Sequence, residues 1–142
     1  MSEVFTLRRQ VEFNHCDPAG IVFYPRYFEM ISSVVERFFA DALHVGWAEM
    51  VIRQGFGTPM GQIEARFHAP SSLEDWLELA LSAKRIGNAS ATLQIEVSCE
   101  GAPRLSCEAT IVYTNIREGT SAPWPDEMRA QMTRYLSSPL QD

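Results

Sequence analysis

Lysine is almost absent from this chain, which carries a single one, Lys84, among its 142 residues. The 12 lysine and arginine side chains are outnumbered by 18 carboxylates, which gives a formal net charge of −6. The cationic residues are scattered, whereas a surface that binds duplex nucleic acid needs a basic stripe. The composition therefore argues against a nucleic-acid partner. A small anionic ligand stays compatible with it, because a few well-placed arginines are enough for that.

Long apolar runs are lacking as well. The most apolar region, residues 31–52, is interrupted by charged residues, and no stretch reaches the roughly 18 apolar residues that span a bilayer. The N-terminus has no basic segment followed by an apolar one, so no secretory signal is expected. Three cysteines, an odd number without a metal or disulfide spacing, favour reduced thiols. We therefore expect a cytoplasmic protein without a membrane partner.

The amino-acid composition and the chain length are those of a single globular domain. Apolar residues make up 46% of the chain and charged residues 21%, which is typical of a globular protein. A chain of this length leaves no room for two ordinary domains. We therefore predict a single domain over residues 1–142.

The first half of the chain combines a strand pattern with a long helix pattern. Alternation over residues 4–13, with Phe13 on the apolar side, predicts a half-buried strand. Pro25 then occupies a first helical position and Gly46 the position after a helix end, and a second short helix follows at residues 47–54. The long helix has one apolar face at a spacing of 100° per residue: Tyr27, Ile31, Val34, Val35, Phe38 and Ala42.

The second half is dominated by strand patterns. Four alternating segments cover residues 60–69, 74–86, 89–100 and 104–117. The turns between the last three are too short for crossover helices, so the strands should be antiparallel. A short helix opening at Pro125 ends the chain. This order predicts an α+β fold, with a five-stranded antiparallel sheet wrapped around a long central helix and a short C-terminal helix.

The residues suited to chemistry are concentrated in segment 17–25, between the first strand and the long helix. Asp17 there precedes a helix N-terminus, whose unpaired N–H groups carry the positive end of the helix dipole. Such groups can hold an oxyanion while a carboxylate attacks a carbonyl or activates water. Because Pro25 has no N–H, the Tyr24 N–H is predicted to be an exposed donor. A simple turn, with Asp17 bonding its own backbone, is the alternative interpretation.

Residues 13–27, FNHCDPAGIVFYPRY, closely resemble the signature of the 4-hydroxybenzoyl-CoA thioesterase family. The resemblance extends to residues 57–59 and to the order of the strands. It implies a hotdog fold and acyl-CoA thioesterase activity. It further implies that Asp17 is the catalytic nucleophile or general base and that the Tyr24 N–H polarises the thioester carbonyl. By the same resemblance, five residues are expected to contact the substrate: Gly20, Phe23, Tyr27, Ser32 and Thr58.

Two positions bear on the identity of the acyl group. A sister group of the family carries histidine where this chain has Pro25, as the hydroxybenzoyl-type members do. The acidic residue that meets the phenol hydroxyl in the hydroxybenzoyl enzyme is replaced here by Ser32, a weaker partner than a carboxylate. Four aromatic side chains should form a flat apolar slot: Phe23, Tyr24, Tyr27 and Phe28. We therefore expect an aromatic or short acyl group, with little gain from a 4-hydroxyl.

The implied coenzyme A needs cationic partners. Lys84 and Arg85 are candidates for its phosphates, because arginine forks fit phosphate oxygens, and an exposed basic strand end is the alternative. The sequence has neither a glycine-rich phosphate loop nor a metal-ligand spacing, so no metal and no cofactor beyond the substrate's own coenzyme A is expected. The resemblance also implies a homodimer, assembled into a tetramer, with sites at the shared interface.

Two other functions stay open. A non-catalytic acyl-CoA-binding hotdog module would not need a carboxylate at the oxyanion end, so Asp17 counts against it. A hotdog enoyl-CoA hydratase normally carries an Asp/His pair after the long helix, and residues 55–68 contain no close pair.

Adjacent residues of an extended segment point to opposite sides, so His15 and Cys16 should not form a triad with Asp17. For His68, a surface role is favoured over a groove-lining one.

Overall fold

The computed structural model describes residues 2–137; Met1 and residues 138–142 of the predicted 1–142 domain lie outside the described part. In chain order, the strands and α-helices of this part are β1 (Phe5–Gln10), α1 (Pro25–Arg37), β2 (Phe56–Gly57), β3 (Met60–Phe67), β4 (Trp76–Ile86), β5 (Ser90–Cys99), β6 (Ala102–Val112), β7 (Thr114–Asn115), β8 (Thr120–Ser121) and α2 (Asp126–Thr133). A 3₁₀ turn lies at Phe13–His15, and π-helical turns lie at Phe38–Ala42 and Ala48–Arg53.

The five long strands form one antiparallel sheet in the order β1-β4-β5-β6-β3. Strands β1 and β3 are therefore its edges, and the three short strands β2, β7 and β8 form a separate small sheet. Alternation places one apolar row of each central strand on the inner face, where it is buried: Leu77, Leu79 and Leu81 on β4, and Leu93, Ile95 and Val97 on β5. The predicted five-stranded antiparallel sheet is confirmed.

Helix α1 packs its apolar face against the inner face of the sheet. The helix begins at Pro25 as predicted, and every residue of the predicted apolar face is at most 5% exposed. Phe38, just beyond the helix, is fully buried and contacts the rings of Phe5, Phe39 and Tyr135 at centroid distances of 5.7, 5.9 and 5.1 Å. No helix within residues 2–137 has the length and apolar content to cross a membrane.

The prediction was wrong at the end of the first strand. Strand β1 stops at Gln10, and Phe13, expected to face inward, is 84% exposed. The chain turns here because the Glu12 N–H donates to Nδ1 of His15 at 2.8 Å and the His15 N–H donates to the Glu12 carbonyl at 2.9 Å. This local capping competes with the strand ladder and leaves the Phe13 ring in solvent.

Truncation of Phe38 should show how much the fold depends on this core. Phe38→Ala removes a fully buried ring and leaves a cavity, so the free energy of unfolding should fall by about 3–5 kcal/mol. Phe13→Ala removes the same atoms from an exposed site and should change it by less than about 0.5 kcal/mol. Urea unfolding of both variants checks this, and equal losses would contradict the described packing.

Candidate active site

The loop that carries Asp17 is a tight turn closed by its own backbone. The Asp17 N–H donates to the Ile21 carbonyl at 3.0 Å, and the Gly20 N–H donates to the Asp17 carbonyl at 2.9 Å. Gly20 has a φ of +79°, a left-handed conformation that favours glycine. Oδ1 of Asp17 accepts the Ala19 N–H at 2.9 Å, which is the turn of the alternative interpretation. Within residues 2–137, Oδ2 accepts no hydrogen bond, so the half-buried carboxylate keeps one oxygen for another partner.

A second loop, residues 70–75, holds the Asp17 loop in place. The Val22 N–H donates to the Ser71 carbonyl at 2.9 Å, and the Leu73 N–H donates to the Gly20 carbonyl at 3.0 Å. The Tyr27 hydroxyl donates to Oγ of the buried Ser71 at 2.8 Å, which ties helix α1 to the same loop. The Asp17 loop is therefore fixed relative to the start of α1.

Asp75 and Arg104 secure this second loop in turn. Oδ2 of Asp75 accepts the Ser72 N–H and Nη1 of Arg104, each at 2.9 Å. Nη1 of Arg104 also donates to the Pro70 carbonyl at 2.9 Å. The backbone hydrogen bond from Ser72, and after it the one from Arg104, lower the pKa of Asp75 below its ordinary value.

The N-terminus of α1 presents a free donor, as the sequence predicted. The Phe23 N–H donates to the His15 carbonyl at 2.9 Å, so the segment entering the helix runs beside the Asp17 loop. Pro25 supplies no N–H, and the Tyr24 N–H donates to no acceptor among residues 2–137. At the positive end of the helix dipole, this N–H is suited to a developing oxyanion.

An aromatic cavity adjoins this helix end. It is an open depression of about 360 Å³, lined by seven residues: Val22, Tyr24, Tyr27, Phe67, His68, Ala69 and Pro70. The Phe67 ring lies 6.3 Å from that of Tyr24 and 5.9 Å from that of Tyr27, and Phe23 contacts Tyr24 at 5.7 Å. Three of the residues expected to form the slot thus meet here.

Phe67 was not among the predicted site residues, and His68 takes the groove-lining position that the sequence analysis had placed second to a surface role. Nε2 of His68 lies 2.8 Å from Oγ of Ser106, whose hydroxyl donates to Oε1 of Glu96 at 2.6 Å. Both cavity residues come from the end of β3, more than 40 positions after Tyr24 in the chain. The alternating pattern predicted the strand, and no local signal predicted that its end lies against α1.

Ser32 and Thr58 lie together in a different place. Both line a groove of about 500 Å³ with an uncharged wall of apolar side chains: Val35, Trp47, Val51, Pro59, Met60, Ile111 and Ile116, beside Gly57 and Thr114. Ser32 follows Tyr24 by eight residues, which is about 12 Å along the helix axis. The groove and the aromatic cavity are thus separate sites on one copy of the chain.

Lys84 and Arg85 lie on the outer face of the sheet. A register shift between Ala83 and Arg85 makes Lys84 a bulge. Nζ of Lys84 pairs with Oε2 of Glu108 at 2.5 Å, and Nη2 of Arg85 donates to Oγ1 of Thr92 at 3.5 Å. The bulge thus brings two successive cations to one face, where they line a groove of about 740 Å³.

The predicted site residues therefore fall into three groups on one copy of the chain. Asp17, Gly20 and Phe23 lie in the segment that leads into α1, and Tyr24 and Tyr27 line the aromatic cavity at the start of that helix. The other two groups are Ser32 with Thr58 in the uncharged groove, and Lys84 with Arg85 in the outer-face groove.

Comparison with known proteins identifies the family. A family model described as the thioesterase-like superfamily matches residues 11–132. The chain belongs to the thioesterase-like superfamily. The 4-hydroxybenzoyl-CoA thioesterase of Pseudomonas sp. (strain CBS-3) is 31% identical to this chain over 85 residues. That match covers 59% of this chain and 60% of the relative's length.

Solved structures confirm the hotdog fold expected for this superfamily member. A 1,4-dihydroxy-2-naphthoyl-CoA thioesterase from Synechocystis superposes with a TM-score of 0.83 at 22% identity, covering 92% of this chain and 96% of the other. A Staphylococcus aureus protein, solved in complex with CoA, superposes with a TM-score of 0.87 at 18% identity, covering 95% and 85%.

The link between Asp75 and Arg104 should make part of the stability depend on pH. An aspartate with a lowered pKa stabilises the fold above its unfolded-state pKa of about 3.9, and this contribution disappears as the pH falls through the folded value. The free energy of unfolding of Asp75→Asn should therefore be about 1–3 kcal/mol lower than that of the wild type at pH 7. This difference in free energy should shrink as the pH falls below about 4.

Urea unfolding between pH 7 and pH 3 measures this difference. Glu118→Gln, a change at an exposed carboxylate, should have the same free energy of unfolding as the wild type at every pH in this range. A loss for Asp75→Asn that stays constant over the whole pH range would contradict the described linkage.

Proposed function

We propose that this protein is an acyl-CoA thioesterase, which converts an acyl-CoA and water into a carboxylic acid and free coenzyme A. Two observations carry the proposal: Oδ2 of Asp17 accepts no hydrogen bond within residues 2–137, and the N–H of Tyr24, seven residues later at the start of α1, has no acceptor there. The superfamily match and the named relatives support the same reaction class.

Each group has a defined part in the reaction. The Tyr24 N–H, at the positive end of the helix dipole, holds the carbonyl oxygen as it gains negative charge. Oδ2 of Asp17 either attacks the carbonyl carbon or takes a proton from the water that attacks. The C–S bond then breaks, coenzyme A leaves as the thiol, and water supplies the oxygen and the protons of the products. Both routes need the same carboxylate in the same place.

The cavity beside Tyr24 favours a compact acyl group. Its walls are mostly aromatic and aliphatic, and ring-on-ring packing against Tyr24, Tyr27 and Phe67 favours a flat ring. Two relatives are named for aromatic acyl groups, 4-hydroxybenzoyl and 1,4-dihydroxy-2-naphthoyl. The substrate proposed here is therefore an aromatic or short acyl-CoA. Position 32, the expected place of a hydroxyl-reading acid, holds a serine.

The coenzyme A moiety is proposed to bind in the groove on the outer face, whose lining combines Lys84 and Arg85 with Glu64 and Glu108. Lys84 and Arg85 are brought to one side by the bulge, and only Glu108 neutralises Lys84 among residues 2–137. One superfamily structure is described in complex with CoA. We further propose a homodimer, since the β3 edge exposes apolar side chains, and the tetramer remains a prediction from the resemblance.

Replacing the Asp17 carboxylate tests the proposed chemistry. Asp17→Asn keeps the shape of the side chain and the acceptor for the Ala19 N–H, and it removes the reactive charge. Thiol release from benzoyl-CoA should fall by at least about 100-fold, since proton transfer alone contributes about 10²–10⁴-fold. Binding of the substrate should persist.

Asp41→Asn is the matched control, because Asp41 is exposed in the turn after α1. It should retain wild-type turnover. Retention of more than a tenth of the activity by Asp17→Asn would falsify the assignment. Binding without turnover in the wild type would favour the non-catalytic module, and hydration of an enoyl-CoA would favour the hydratase.

A panel of acyl-CoA esters tests the substrate class. Packing of the substrate ring on the aromatic side chains gains about 0.5–1.5 kcal/mol, so kcat/KM for benzoyl-CoA should exceed that for palmitoyl-CoA by about tenfold. The kcat/KM for 4-hydroxybenzoyl-CoA should be little higher than that for benzoyl-CoA. Phe67→Leu should reduce this preference, while Phe13→Ala, a loss of an exposed ring outside the cavity, should leave it unchanged. A preference for palmitoyl-CoA would contradict the proposed substrate class.

A further inference from the structure

The bulge at Lys84 lies where strand β4 loses a neighbour in the sheet. The pairing of β1 with β4 begins at Phe5, opposite Leu81, so β1 does not cover the part of β4 that follows Leu81. On the other side of β4, the register with β5 shifts between Ala83 and Arg85, and such a bulge leaves one residue outside the ladder. Strand pairing therefore holds the backbone around Lys84 less firmly than the middle of β4.

The chain after α2 covers the edge of β4 immediately before the bulge. The Ala83 N–H donates to the Tyr135 carbonyl at 2.8 Å, and the Ser137 N–H donates to the Ala83 carbonyl at 2.8 Å. These two bonds place Leu136 beside Ala83 as a parallel bridge. Leu136 and Ser137 also line the outer-face groove. The C-terminal segment thus fixes the backbone on one side of the bulge.

Arg129, in the middle of α2, holds the chain on the other side of the bulge. Its Nη2 donates to the Gly87 carbonyl at 2.6 Å and to the Asn88 carbonyl at 3.2 Å. The Asn88 carbonyl also accepts the Trp124 N–H at 3.0 Å, and Nε1 of Trp124 donates to the Ser90 carbonyl at 3.0 Å. These carbonyls belong to the turn between β4 and β5, so the turn is tied to α2 and to the residue that precedes it.

Helix α2 is itself anchored in the core. Met132 is fully buried, and Met128 is 7% exposed. The Tyr135 ring lies 5.1 Å from the ring of the buried Phe38. One rigid element therefore holds the chain on both sides of residues 84–86.

We propose that Arg129 is a positioning residue for coenzyme A, an inference that rests on the proposed function, in which coenzyme A binds in the outer-face groove. Successive side chains of a regular strand point to opposite faces, so Lys84 and Arg85 share one face only while the bulge persists. Arg129 stabilises the turn that follows the bulge, and it is not among the residues that line the groove. It therefore acts through Lys84 and Arg85.

Two other roles of Arg129 make different predictions. If its hydrogen bonds served stability alone, their loss would change the turnover of every thioester alike. If its charge attracted the phosphates directly, its effect would persist when Lys84 and Arg85 are replaced. A positioning role predicts an effect that is confined to ligands with phosphates and that disappears without the two cations.

Binding of coenzyme A alone is the first measurement. Arg129→Met keeps the aliphatic stem and removes the donors, so the Kd for coenzyme A, measured by isothermal titration calorimetry, should rise by about 3- to 10-fold, the equivalent of one ordinary hydrogen bond. Arg129→Lys keeps the charge and a donor, so it should bind coenzyme A more tightly than Arg129→Met. Arg117→Met removes a cation from an exposed turn and should bind as the wild type does. Circular dichroism shows that each variant is folded.

Kinetics with two substrates separate positioning from stability. For benzoyl-CoA, Arg129→Met should raise KM by the same factor and leave kcat within about twofold of the wild type. S-benzoyl-N-acetylcysteamine carries the same acyl group on a thioester without phosphates. Its kcat/KM should be unchanged in Arg129→Met.

A double-mutant cycle shows whether Arg129 acts through the bulge. In the Lys84→Met/Arg85→Met background, the groups that Arg129 positions are absent. Adding Arg129→Met to this background should therefore change the Kd for coenzyme A by less than about twofold, although the same change weakens binding in the wild type.

Five results would overturn the proposal: a wild type that does not bind coenzyme A, Arg129→Met that binds it as tightly as the wild type, Arg129→Lys that binds no more tightly than Arg129→Met, equal losses in both backgrounds, or an equal loss with the truncated thioester. Because calorimetry requires no turnover, positioning is judged independently of the chemistry. Loss of activity in Asp17→Asn with unchanged binding by Arg129→Met would leave the thioesterase and remove the positioning role. Weaker binding by Arg129→Met with a wild type that hydrolyses no thioester would remove the chemistry and leave the positioning role.

Discussion

The burial of one face of helix α1 is the constraint on which the rest of this structure depends. That face carries Tyr27, Ile31 and Val34, which are at most 4% exposed because the helix packs against the sheet. Each such side chain contributes about 1.5–3 kcal/mol when fully buried. Covering the helix also fixes its N-terminus beside the Asp17 loop and the end of β3, so the packing that stabilises the fold also sets the position of the proposed oxyanion donor.

A chain of hydrogen bonds holds the Asp17 loop in a fixed position relative to this helix end. Asp75 and Arg104 hold loop 70–75, this loop holds residues 20–22, and the Asp17 carboxylate is fixed by the Ala19 N–H. These contacts restrict Asp17 to one orientation and leave Oδ2 available. Preorganisation of this kind lowers the reorganisation required when charge develops on a bound carbonyl.

The sequence predicted those parts of the fold and site that depend on local patterns. The apolar face of α1, the start at Pro25 and the five strands follow from periodicity and turn residues, and the free Tyr24 N–H follows from the proline. Phe13 was placed wrongly because a three-residue capping turn overrode the alternation. Phe67 was missed, and a surface role was favoured for His68, because the contact between the end of β3 and the helix end depends on tertiary packing and leaves no local signal in the sequence. The shared face of Lys84 and Arg85 depends on a bulge that alternation does not reveal.

The central claim is that the thioester carbonyl binds at the start of α1, between Tyr24 and Asp17. The most direct measurement is a crystal structure of the Asp17→Asn variant with benzoyl-CoA bound. The account predicts the carbonyl oxygen about 2.7–3.1 Å from the Tyr24 nitrogen, with the carbonyl carbon facing the side chain at position 17 and the ring against Phe67. A thioester bound in the groove of Ser32 and Thr58, with the Tyr24 N–H free, would contradict it.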